Sequence, residues 1–119
     1  MIPDHTKKAE QLADHYATIL TLYRELEQLS RRVFEAFEGD IQVDALREVL
    51  RSKIEVVERI KAESQAIAAL KDELTLSASE RETLRHAESK LTELVKQVVE
   101  QEDKSRILLE KQGIRITRR

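Results

Sequence analysis

The sequence has no cysteine and no tryptophan, and among 119 residues only 2 Gly, 1 Pro, 2 Tyr and 2 Phe. Without cysteine there is no disulfide and no thiolate metal site, which fits a reducing compartment. So few breakers exclude turn-rich sandwiches, barrels and small loop-dominated scaffolds. Two glycines are too few for a phosphate-cradling loop. Four aromatic side chains mean that any core is aliphatic. No apolar run approaches the roughly 20 residues that cross a bilayer. No signal-peptide core follows the polar start Asp4-His5-Thr6-Lys7-Lys8, so a cytoplasmic location is expected. Neither sign of charge dominates: 21 Lys and Arg against 23 Asp and Glu leave a net of −2. That gives no reason to expect nucleic acid as a partner. What is present is 37% charged and 40% hydrophobic residues, a balance typical of long helices and coiled coils in one domain.

Apolar side chains recur at steps of three and four. The first series is Leu12, Tyr16, Ile19, Leu22, Tyr23, Leu26, Leu29, Val33, Phe34 and Phe37. The second is Leu46, Val49, Leu50, Ile54, Val57, Ile60, Ile67, Leu70 and Leu74, widened by Val56. The third is Leu84, Ala87, Leu91, Leu94, Val95, Val98 and Val99, then Ile107, Leu108 and Leu109. This is the periodicity of amphipathic helices, and nowhere is there the sustained alternation of a strand. Two interruptions separate the series. At Glu38-Gly39-Asp40, glycine can close a helix in the left-handed conformation, and Asp40 or Asp44 can cap the next. At Thr75-Leu76-Ser77-Ala78-Ser79, two overlapping capping boxes are readable, Ser77 with Glu80 and Ser79 with Glu82. Helices are therefore expected at roughly 5–38, 41–75 and 78–112, followed by a basic tail, 113–119. Short connections make neighbours antiparallel. The expected fold is all-α, an elongated three-helix bundle with coiled-coil-like packing. A two-helix hairpin that dimerises, with the third helix loose, is the alternative.

Catalytic and metal constellations are not assembled by the pattern. His5 and His15 are too far apart for a pair one turn apart on a helix. His86 with Glu82 reads as a surface pair. Gly39-Asp40 with Asp44 lacks the other oxygen ligands of a calcium loop. Ser77 and Ser79 have no base placed beside them and are explained as caps. No enzyme activity, cofactor or metal is expected. Acidic and basic residues interleave along each helix as on a solvated face, with weak ion pairs. Residues 1–38, 39–76 and 77–119 carry net charges of −2, −2 and +2. Arg115, Arg118 and Arg119 make the end of the chain basic.

The third series has a defect. Glu100-Gln101-Glu102-Asp103-Lys104-Ser105-Arg106 is seven polar residues in a row, with Gln101 and Ser105 where the stripe would place apolar side chains. No Pro or Gly interrupts this stretch, so the helix is expected to continue through it. In an antiparallel hairpin the gap falls opposite about residues 48–54. Val49, Leu50 and Ile54, near Val33, Phe34 and Phe37, would then be under-covered, and an exposed apolar patch marks a binding site. A groove for an amphipathic helix is one reading. Phenylalanines closing the tip of the core, and a homodimer covering the patch, are the others.

The segment Phe37-Glu38-Gly39-Asp40 followed by Leu46, Leu50, Lys53, Val57 and Ile60 resembles the flagellar type III export chaperones of the FlgN/FliT type. The likeness covers about residues 20–62 best. It implies a helical cytoplasmic protein that binds the C-terminal amphipathic helix of a hook-junction or filament-cap subunit, prevents its early assembly and delivers it to the export apparatus. The family binds clients partly through its C-terminal helical region. Leu91, Leu94, Val95, Val98, Ile107 and Leu108 are the matching residues here. The expected function is thus a non-catalytic export chaperone with a protein partner. The alternative is a coiled-coil adaptor that homodimerises and scaffolds a larger complex.

Overall fold

The structure, a computed structural model, describes residues 3–39 and 42–112, with side chains from residue 5 onward. Asp40 as a cap and the basic tail from residue 113 lie outside the described residues. Three helices make up almost all of it: α1 (Pro3–Glu38), α2 (Val43–Glu73) and α3 (Ala78–Lys111), with no strand among the described residues. They contain 36, 31 and 34 residues, or roughly 46–54 Å each at about 1.5 Å per residue. The molecule measures 63 × 25 × 23 Å. The elongated all-α bundle expected from the periodicity is the observed fold.

Ion pairs record the register. Lys8 and His15 on α1 meet Glu73 and Glu63 on α2, so these two helices are antiparallel. His5 and Ser30 on α1 meet Glu80 and Glu102 on α3, so α1 and α3 run parallel. None of the helices is long and apolar enough to cross a membrane.

Helix ends form partly as the sequence indicates. Ser77 caps α3: its hydroxyl accepts from the Glu80 N–H at 3.1 Å, and Glu80 Oε1 accepts from the Ser77 N–H at 2.9 Å. That backbone donation holds the Glu80 carboxyl below its ordinary range, and His5 adds to the effect. The second box does not form. Ser79 already lies inside the helix, where its carbonyl accepts from Thr83 Oγ1. Asp44 is not the cap of α2 either. Gln42 holds that position without a side-chain bond, and Asp44 sits in the first turn, where the helix dipole favours a negative charge. Gly39 ends α1 by donating its N–H to Glu35 O at 3.1 Å. Its φ lies outside the left-handed region, and a Cβ there would meet Glu35 O at an ordinary 3.6 Å.

The core is unevenly shared. α1 supplies Leu12, Tyr16, Ile19, Leu22, Leu26 and Val33, most of them more deeply buried than anything on the other helices. α2 supplies Val56, Ile60 and Ile67, and α3 supplies Leu84, Val98 and Leu109. Leu74 and Leu76, flanking the second turn, pack against the same cluster and close that end. The reason is topological: α1 is packed on by both partners, whereas α2 and α3 each pack on α1 alone.

Candidate partner-helix groove

Among the described residues, the α2 and α3 backbones nowhere come within 8 Å, Cα to Cα. Two ion pairs span the gap between them, Lys53 with Glu102 and Lys71 with Glu88. Tyr16 lies buried beside the second pair. Burial pushes its phenol above the ordinary value of 10.0, Glu88 adds to the rise and Lys71 opposes it. Three helices with one in the middle and two apart occupy three positions of a four-helix bundle. The fourth position is the furrow between α2 and α3.

Sequence geometry puts apolar side chains on both walls of this furrow. On α2 the core face is centred on Val49, Val56, Ile60 and Ile67. About a quarter-turn round the helix runs a second stripe, Val43, Leu46, Leu50, Ile54 and Val57, at the same three- and four-residue steps. It lies on the flank from which Lys53 and Lys71 reach α3. Its members are Val43 at 64% exposure, Leu50 at 41% and Ile54 at 65%, with Leu46 and Val57 half-buried. On α3, Val95 and Val99 turn toward the same side and are 36% and 51% exposed. A hollow between α1 and α2 is lined by Tyr23 and Leu26 of α1 and by Val57, Ile60 and Lys61 of α2, on the flank of α2 that carries the second stripe. Tyr23 forms part of the hollow's floor.

At the polar stretch of α3, Leu50 and Ile54 of the expected patch are 41% and 65% exposed, while Val49 is half-buried. The helix is continuous through 100–106, and the gap is filled by polar groups instead of being left open. Ser30, 1% exposed, donates its hydroxyl to Glu102 Oε1 at 2.9 Å, and Lys53 donates to the same oxygen. Ser105 is buried with its hydroxyl unpaired. A polar layer therefore crosses the bundle, with Val33 and Leu109 buried beyond it and apart from the main cluster. It forms because a bound lysine and serine satisfy the carboxylate that an apolar stripe would have excluded.

The expected contact residues divide accordingly. Leu50 and Val95 lie on the furrow. Val98 does not: it is core, and a partner reaches it only by opening the bundle. Leu91 is packed against that core. Val49 is half-buried on the face that α2 turns to α1, and Leu94 and Leu108 are half-buried on the flank of α3 away from α2. Phe34 and Phe37 are half-buried near the far end of α1, where Gln112 Nε2 donates to Phe37 O. Ile107, 43% exposed, faces outward on the side of α3 opposite Leu109. Val43, Ile54 and Val99 are more exposed than any of these; the sequence places Ile54 in the under-covered patch and does not single out Val43 or Val99. The available signal was the offset between the two α2 stripes.

Each histidine faces a glutamate at a separate place: His5 with Glu80, His15 with Glu63 and His86 with Glu82. Among the described residues there is no group of three or more acidic or histidine side chains placed to hold a metal. Comparison with protein families, with curated proteins and with solved structures finds no match to this chain.

Proposed function

We propose that the protein is a non-catalytic cytoplasmic export chaperone whose α2–α3 furrow receives an amphipathic helix of a flagellar subunit of the hook-junction or cap type. The supporting observation is that α2 and α3 both pack on α1 and not on each other, with exposed Ile54, Leu50, Val95 and Val99 along the space between them. Burying such surface is worth about 25 cal/mol per Å², offset by the ordering and association costs of the incoming helix. Occupying the furrow would complete a four-helix bundle and cover the client's own assembly face. The flagellar assignment rests on the resemblance carried by Phe37 to Ile60.

The test is titration of synthetic C-terminal helices from hook-junction and cap subunits, with Ile54→Glu and Val99→Glu as controls. The expected result is a 1:1 complex that these exposed substitutions abolish without lowering the melting temperature. The adaptor reading puts a second copy of the chain in the furrow. Tight self-association of the free protein in sedimentation, lost in the same variants, would favour it.

A further inference from the structure

We infer that the helix received by the furrow carries acidic side chains on both flanks of its apolar stripe; this rests on the proposal that the furrow captures a helix. Between the two cross-pairs the walls are apolar at Ile54, Val57, Val95 and Val99. The charges that face the opening there are lysines, Lys61 on α2 and Lys96 on α3. In the antiparallel register set by Lys53–Glu102 and Lys71–Glu88, these two fall at the same height, one on each rim. Glu58, Glu93 and Glu100 lie further round, on the solvent side of their helices. Lys61 reaches only Glu58, at 3.4 Å with both side chains about two-thirds exposed. Lys96 has no ion-pair partner among the described residues.

In a chain with more acids than bases, a stretch of rim that presents Lys61 and Lys96, with Glu88 and Glu102 held in the cross-pairs and Asp103 set against Arg106 at one end, is a local departure that selects its occupant. A helix with carboxylates on both flanks within about one turn would meet both lysines while its stripe covers the valines. A second copy docked symmetrically would instead bring like-charged rims together, which is unfavourable. The span from Lys53 to Lys71 corresponds to roughly 27 Å of helix, so about 18 partner residues, or five turns, fill it.

Three designed 18-residue helices with one leucine-isoleucine stripe, flanked by Glu, Gln or Lys, distinguish the outcomes by fluorescence anisotropy. The Glu-flanked peptide is expected to bind about tenfold more tightly than the Lys-flanked one at about 0.01 M salt. That preference should shrink at about 1 M, where the screening length is near 3 Å. In the Lys61→Glu/Lys96→Glu variant the order should reverse, with an unchanged melting temperature because both side chains are exposed. Equal binding of all three peptides, lost in Ile54→Glu, overturns the charge inference and leaves helix capture standing. No binding of any peptide overturns capture and this inference together.

Discussion

The two flanks of α1 and the furrow between α2 and α3 are built from similar residues and end in opposite states. On the flanks, Leu12, Ile19 and Leu22 are at most 2% exposed. Across the furrow, Ile54 and Val99, equally aliphatic, stay more than half exposed. Side-chain chemistry does not separate the two regions; the presence or absence of a neighbouring helix does. An amphipathic helix with one apolar stripe is complete after one packing partner. A helix with two stripes, such as α2, is left with one of them unused in a three-helix arrangement.

Breaking the sealed region should have the largest effect. Leu22→Ala removes a fully buried side chain from the main core cluster, and should lower unfolding free energy by about 2–5 kcal/mol in denaturant titration. Glu102→Ala comes next. It strips Ser30 and the mostly buried Lys53 of their shared acceptor, for a loss of about 1–3 kcal/mol. The double change Lys53→Met/Glu102→Leu should recover most of this, because it removes both charges together. Ser105→Ala should act in the opposite direction, stabilising by up to about 1 kcal/mol, since it deletes a buried hydroxyl that has no partner. A smaller effect is expected on the alkaline side. Tyr16 binds its proton more tightly folded than unfolded, so its contribution is intact below pH 10 and fades as pH rises through its raised pKa. Tyr16→Phe should flatten that loss in a pH series of melting temperatures. Smallest of all, Ile54→Ser with Val99→Ser should leave stability within about 0.5 kcal/mol. A loss of several kcal/mol there would show that the furrow walls are packed together in solution, erasing the contrast between the regions.

Much of the architecture was legible in the residues. The three helices, the break at Gly39, the capping box at Ser77 and the continuity of α3 through 100–106 follow from spacing, caps and the lack of a breaker. The buried Ser105 follows because the stripe must continue geometrically whatever occupies it, whereas Glu102, which meets Ser30 and Lys53 across the bundle, is not the residue the spacing points to. The candidate site was only half legible. Leu50 and Val95 lie on the furrow, but Val98 is core, because a wide stripe in sequence does not state which edge of it meets α1. Ile54 reads as more of the same stripe and Val43 stands outside it, although both belong to a second one.

By itself, then, the sequence determined an all-helical chain with long aliphatic faces and no thiol chemistry, because those properties depend on residue type and local spacing. Only the tertiary structure decided that α1 lies in the middle and that Lys53 crosses to a glutamate from the polar stretch. It also decided that the apolar surplus lies along the space between α2 and α3. Each of these depends on which faces of separate helices come together, and periodicity along one helix carries no information about the distance to another.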